Sequence, residues 1–192
     1  MRRTGVTSAS FVSLAVLVLA ACSALPLPHV IDLKAQIEDP AGAVTTEVGE
    51  GQVEELDLRV PTDEGECFVF DDVAPGLTVH SAQLQWIVDI DYEGPELSGK
   101  VQARAYATGE GDEVFHGSNT LGPVVTVDLS RPTTRLAGAA NLNPDQLAAI
   151  NERALCWGAV LRGDDVTAQE DGTATISYEV KQLRLRITFS VI

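Results

Sequence analysis

Apolar residues recur at every second position along most of this chain, which is the period of a β-strand with one buried face. Clear runs lie at 31–38, 56–60, 101–107 and 125–129. Pro, Gly, Asp and Asn separate many of the runs, and these residues favour turns. The pattern predicts one all-β domain, built as an antiparallel β-sandwich or a partly closed barrel.

Two of the longer runs change phase partway along. In the first run, apolar residues have odd numbers before His80-Ser81 and even numbers after it, as far as Tyr92. The second has even positions before Lys181-Gln182 and odd ones after it. Each slip predicts a β-bulge or a sharp bend. Because bulges let a long strand leave one sheet and join another, they favour a folded-over sandwich or partly closed barrel over a flat sheet.

One short helix is predicted at 144–152. Asn143 suits the N-cap, Pro144 the first helical position and Gln146 the third, as in a capping box. The following residues fit either a continuing helix or a strand. A helix would place Cys156 opposite the apolar stripe, whereas a strand would bury it, so we predict a strand over 154–162.

The first 22 residues have the layout of a secretory signal peptide, with Arg2 and Arg3 before an apolar run at 11–21. This run is too short for a bilayer core, which needs about 20 residues. Its end, Leu19-Ala20-Ala21-Cys22, resembles the lipobox of bacterial lipoproteins. An ordinary signal peptide, cleaved without lipidation, is the alternative.

The resemblance implies removal of residues 1–21 and a lipid anchor on Cys22, with a thioether-linked diacylglycerol and a further acyl chain such as palmitate. Ser23 beside Cys22 implies the outer membrane, facing the periplasm, in a bacterium with two membranes. With one membrane, the protein would lie on the outer face of the cell membrane. Residues 22–29 then form a short tether, and residues 30–192 form the β domain.

The mature chain is strongly acidic. Without Arg2 and Arg3, the 13 basic residues fall to 11 against 28 acidic ones, a net charge of −17. Such a field repels nucleic acid and anionic lipid headgroups, so no nucleic-acid partner is expected. The total charge also argues against a basic patch lying flat on the membrane. Cationic partners and divalent cations remain compatible with it.

Cys67 and Cys156 are the two cysteines left once Cys22 is lipidated. In an exported protein an even pair predicts a disulfide. A metal pair or a catalytic thiol are the alternatives, but neither cysteine lies in a C-x-x-C motif or beside a histidine. We therefore predict a Cys67–Cys156 disulfide.

No catalytic residue is predicted, and we expect a protein that is not an enzyme. His29, His80 and His116 lie far apart in sequence, and no G-x-S-x-G motif occurs. No metal or cofactor is predicted either. Asp89, Asp91 and Glu93 share one strand face and are weak candidates for a calcium site, but they lack EF-hand spacing.

Export, anchoring and a full β core without a catalytic signature favour a non-enzymatic binding or interaction module. Its expected partners are the membrane, through the lipid on Cys22, and a protein of the cell envelope. The alternative is a carrier of an apolar ligand such as a lipid, because the small residues of the Val101–Ala107 face leave room for a cavity. Close packing of the two sheets explains the same residues. Tyr106, in a row with Arg104, is the one large aromatic predicted on a polar face.

Overall fold

The computed structural model describes residues 27–52, 56–61, 64–70, 77–109, 113–128 and 133–191. Most of these residues lie in strands, and one α-helix, α1 (Pro144–Asn151), joins them. The strands are β1 (Leu27–Asp32), β2 (Ala41–Val48), β3 (Gly51–Gln52), β4 (Leu56–Val60), β5 (Glu66–Val69), β6 (Leu77–Glu93), β7 (Leu97–Thr108), β8 (Thr120–Val127), β9 (Thr133–Asn141), β10 (Ala154–Ala168) and β11 (Gly172–Val191).

The strands form two antiparallel sheets that pack face to face and do not close into a barrel, which confirms the predicted sandwich. In sheet A, β11 pairs with β6 and β6 pairs with β9, while β1 and β2 lie end to end on the other side of β11. In sheet B, β10 pairs with β7 and β7 pairs with β8, while β4 and β5 lie end to end on the other side of β10.

The chain crosses between the sheets in the order of a jelly roll. With β1 and β2 counted as one position, and β4 and β5 as another, each sheet has four positions. The positions are numbered in chain order and read across each sheet from one edge to the other. Sheet A then has the order first, eighth, third, sixth, and sheet B has the order second, seventh, fourth, fifth. Two interlocked Greek keys give this arrangement.

The hydrophobic core lies between the two sheets. Its wholly buried side chains include Trp157, Phe68, Leu84, Leu183 and Leu185. The inward residues of β7 from Val101 to Ala107 are buried against this core. Small side chains here let the sheets approach closely, and removing this apolar surface from water stabilises the fold.

Both predicted phase slips are β-bulges, and both lie in the pairing of β6 with β11. Ser81 pairs with Thr188 and Val79 with Phe189, which leaves His80 as the extra residue. On β11, Lys181 is the extra residue. The prediction that bulged strands pass between sheets is wrong, because β6 and β11 stay in sheet A along their whole length. The bulge at Lys181 instead divides the part of β11 that pairs with β2 from the part that pairs with β1.

The first strand is displaced from its predicted position. β1 ends at Asp32, and a 3₁₀ turn at Lys34–Gln36 replaces the strand predicted over 31–38. Leu33 and Ile37 flank this turn and both are buried, so these two apolar residues of the alternating run reach the core without a continuous strand. β1 begins inside the predicted tether, so residues 27–29 belong to sheet A. The signal peptide (1–21) and residues 22–26 lie outside the described residues.

The helix and the strand after it are confirmed. The Asn143 side chain accepts a hydrogen bond from the backbone of Gln146, and the Gln146 side chain accepts one from the backbone of Asn143, as the capping box requires. Gln146 also donates to the carbonyl oxygen of Ala107 at 2.7 Å, which joins α1 to the end of β7. The helix therefore has a defined start and a fixed place on the sandwich.

Candidate interaction surface

A loop between β7 and β8 covers one end of the outer face of sheet B. Phe115 of this loop lies over Gly158 of β10, where an added Cβ would be 2.6 Å from the phenyl ring. The ring meets Tyr106 edge-on, with centroids 5.6 Å apart and planes at 78°. Phe115 packs with Tyr106, Val114, Cys156 and Val160 in a cluster separate from the main core. An aromatic surface is thereby fixed on the outside of the sheet.

The predicted disulfide joins β5 to β10 beneath this cluster. Cys67 and Cys156 are directly paired across the two strands, and their sulfur atoms are bonded. Cys156 is buried in the cluster, whereas Cys67 is exposed. The bond links positions 89 residues apart. A loop of this length is expected to gain about 4–5 kcal/mol from cross-linking.

Three arginines follow along the same face. Arg59 and Arg104 lie on either side of Val160, and Arg162 lies opposite Asp57 in the next row. Arg162 Nη2 is 2.8 Å from Asp57 Oδ2, and Arg59 Nε is 4.0 Å from Asp57 Oδ1. One carboxylate therefore faces two guanidinium groups, and with Arg104 the group keeps an excess of positive charge.

The arginines and the aromatic rings form one surface. The Arg59 guanidinium lies 5.0 Å from the centroid of the Phe115 ring, in cation–π contact. The side chains of Arg59 and Arg162 are 37% and 64% exposed, so their donors reach solvent. We name this surface the arginine–aromatic patch, and it consists of Arg59, Arg104, Arg162, Asp57 and Phe115, with Tyr106 buried against the Phe115 ring.

The chemistry of the patch suits an acidic partner. A planar guanidinium offers paired N–H donors that match a carboxylate or a phosphate. Arg59 already contacts Asp57 and Phe115, and such contacts restrict its side chain and lower the entropy lost when a partner binds. Arg is also enriched among residues that contribute most to protein–protein affinity. The sequence predicted Tyr106 beside Arg104 on a polar face, but Tyr106 is buried because Phe115 packs against it. The sequence gave no signal for Phe115, Arg59 or Arg162.

The three histidines occupy three different settings. His116 Nδ1 lies 2.9 Å from Ser118 Oγ and also accepts a hydrogen bond from the Ser118 backbone N–H, which caps the 3₁₀ turn Gly117–Asn119. The sequence did not predict this serine–histidine contact, which joins residues only two apart. His80, the bulge residue of β6, lines a cleft of about 500 Å³ with Arg186 and Asn141. His29 lies on β1 opposite Ile187.

The acidic residues considered for calcium have other partners. Asp89 Oδ1 and Oδ2 accept hydrogen bonds from Arg135 Nε and Nη2 at 2.7 and 2.9 Å. These bonds lower the pKa of the Asp89 carboxyl, although burial acts against them. Asp91 accepts a hydrogen bond from Thr133, and Glu93 is exposed. Within the described ranges, no group of three His, Cys, Asp or Glu side chains could hold a metal ion.

The described residues also line other spaces, each smaller than the cleft at His80. A polar cleft of about 360 Å³ lies between α1 and the 3₁₀ turn, lined in part by Ser118, Asp145 and Glu152. Beside Ala103, Ala105 and Ala159, on the face considered for an apolar ligand, the space measures about 20 Å³. About one water molecule fits in such a volume.

No helix among the described residues is long and apolar enough to cross a membrane. No protein-family model and no curated protein matches this chain. Solved structures that resemble it include those of infectious bursal disease virus strains Gx and Gt, with TM-scores of 0.37 and 0.32 and 9% identity to each. Each alignment covers 88% of this chain, but 43% and 40% of the viral chains. The chain thus spans less than half their length. Black queen cell virus has a TM-score of 0.31 and 12% identity, over 100% of this chain and 80% of that chain.

Proposed function

We propose that this protein is a lipoprotein of the bacterial envelope, anchored through Cys22, whose sandwich is a non-enzymatic module that binds an envelope protein at the arginine–aromatic patch. Its place is the outer membrane, facing the periplasm, in a bacterium with two membranes, and the outer face of the cell membrane otherwise. The observation that carries the binding role is the fixed position of Arg59 between Asp57 and Phe115.

Charge complementarity supports a partner with an acidic segment. The mature chain has 28 acidic residues, yet Arg59, Arg104 and Arg162 converge on one outer face with Asp57 among them. The positive charge of the patch is confined to this part of an acidic protein. An acidic surface on a partner would be oriented by it and would associate faster because of it.

The disulfide supports the proposed compartment. Disulfides persist in secreted and envelope proteins and are rare where thiols are kept reduced. The Cys67–Cys156 bond therefore agrees with the export that the signal peptide predicts.

The anchor is tested by mass spectrometry of the full chain extracted from membranes of an expressing bacterium. We expect a protein that starts at Cys22 and carries the mass of a diacylglyceryl group and a further acyl chain. Cys22→Ser is the matched control and should lack both additions. A wild-type protein with an unmodified Cys22 would contradict the anchor.

The patch is tested by cross-linking in living cells. A photoreactive residue at Gln102, which pairs with Arg162, should capture a discrete partner, and Arg59→Glu should abolish the product. The same residue at Thr45 on sheet A serves as the control. Equal products from both positions, or a product unaffected by Arg59→Glu, would refute binding at the patch.

The carrier of an apolar ligand is the rival proposal. It requires a cavity along the Val101–Ala107 face. The space beside Ala103 and Ala105 has room for about one water molecule, and a separate space of about 190 Å³ adjoins Val101 and Val127. A native mass spectrum of the purified protein decides between the two, because a carrier retains a lipid beyond the one attached to Cys22.

A further inference from the structure

The outer face of sheet A changes charge along its length. Arg184 and Arg186 of β11 lie at one end, opposite Gln85 and Gln83 of β6. They alternate with the fully buried Leu185 and with Ile187, so both arginines point away from the core. Farther along β6 come three acidic residues that face outward, Asp89, Asp91 and Glu93. From Gln83 to Glu93 the strand advances about 33 Å.

The two arginines are available to a partner. Both are exposed, and in the part of the chain that the structure describes neither one has a carboxylate within ion-pair distance. Across from them on β1 lie Asp32, opposite Arg184, and Val30, opposite Arg186. Val30 is 55% exposed. This end of the sheet thus presents two guanidinium groups, one carboxylate and an apolar side chain, which leaves one net positive charge among these four residues.

The same end is where the chain arrives from Cys22. β1 begins at Leu27, which pairs with Phe189, only three residues beyond Arg186. Five residue steps separate Cys22 from Leu27, and a chain of that length spans at most about 18 Å. A lipid on Cys22 would therefore hold this end of sheet A, rather than its acidic end, close to the membrane.

We infer that this end of sheet A faces the membrane and that Arg184 and Arg186 bind the phosphates of anionic lipid headgroups. The inference rests on the proposed lipid anchor. The tether makes the contact intramolecular, so two arginines suffice to orient a domain that the anchor already holds in place. The acidic end of the same face then points away from the membrane, where its repulsion by anionic lipid is weakest.

Energy transfer from a tryptophan to dansyl-labelled headgroups measures this orientation. The lipidated full chain is placed in vesicles of phosphatidylcholine, with or without phosphatidylglycerol. Val30→Trp reports on the basic end, and Val44→Trp, at an equally exposed valine that pairs with Ile176, is the matched control. The background comes from the native tryptophans, the buried Trp157 and the half-buried Trp86.

In phosphatidylglycerol vesicles we expect at least about twofold more transfer from Val30→Trp than from Val44→Trp. Arg184→Gln with Arg186→Gln, or high salt, should remove the difference, since salt screens exposed charges within about 10 Å at 0.1 M. Lys100→Gln, which removes an exposed charge from β7, should not change it. Equal transfer from both tryptophans, or a difference unaffected by loss of the arginines, would overturn the inference.

Failure of the anchor itself gives a separate result. An unlipidated chain shows no acyl mass and does not float with either kind of vesicle. That result would overturn the anchor and the membrane orientation together. Floating with equal transfer from both tryptophans would overturn the orientation alone.

Discussion

Phe115 packs against Gly158, with ring carbons 2.6 and 2.7 Å from the place where a Cβ would stand. This contact joins the connection between β7 and β8 to the central part of β10. It also holds the ring where Arg59 can stack on it. The glycine is thus a structural requirement of the proposed binding surface.

Gly158→Ala should displace Phe115 and destabilise the protein by about 1–3 kcal/mol, the usual penalty for overpacking. Gly117→Ala is the matched control, because nothing lies within 4 Å of its added Cβ. Urea unfolding of the two variants checks the difference. Equal stability of the two variants would mean that Phe115 moves aside without any cost in free energy of unfolding.

Loss of the disulfide should lower the free energy of unfolding by about 2–5 kcal/mol. The variant is Cys67→Ala with Cys156→Ala, which leaves no unpaired thiol in the domain. Thermal unfolding with and without a reductant gives the measurement. Reductant should lower the Tm of the wild-type protein and leave that of the variant unchanged.

Arg135→Gln should reduce stability at neutral pH. The hydrogen bonds from Arg135 lower the pKa of Asp89 in the folded protein, so the ionised pair stabilises the fold above the pKa that Asp89 has when unfolded. This contribution is lost as the pH falls through the lowered folded pKa. The Tm difference between wild type and variant, followed from pH 7 to pH 2, should therefore shrink towards zero. A difference that is constant with pH would contradict the assignment.

Glu66→Gln should change stability at neutral pH in the opposite direction from Arg135→Gln. Burial raises the pKa of the Glu66 carboxyl, and the nearby Glu38 and Asp39 raise it further, so ionisation of Glu66 disfavours the folded state. We expect the variant to be more stable at pH 7, by less than about 1 kcal/mol because the site is partly exposed. The gain should disappear below about pH 4, where the acid is protonated in both states. Glu170→Gln, at an exposed position, is the control.

The sequence predicted the features whose signal is local. A phase slip can be read from the alternation itself, which is why the bulges at His80 and Lys181 were found. The capping box was found because Asn143 and Gln146 are three residues apart. The strand predicted over 31–38 is wrong for a related reason. Leu33 and Ile37 are four residues apart, and this spacing is found both in strand patterns and in helical patterns.

The binding surface depends on distant parts of the chain and could not be predicted in this way. Arg59, Arg104 and Arg162 become neighbours only because β4 and β7 flank β10. Phe115 comes from a loop that has no periodicity. Net charge carries no information on position either, so the value of −17 could not predict that Arg184 and Arg186 lie side by side at one end of sheet A.

The position of β11 has a consequence for the order of folding. It follows every other described strand in the chain, yet it lies inside sheet A, where β1, β2 and β6 all pair with it. In the described residues β1 and β2 have no strand partner other than β11. Neither can be held in a sheet until the chain has been made, or exported, as far as Gly172–Val191. The pairing of β1 and β2 therefore has to wait for β11, whereas β6 and β9 can pair before it, and such long-range pairing makes folding slow.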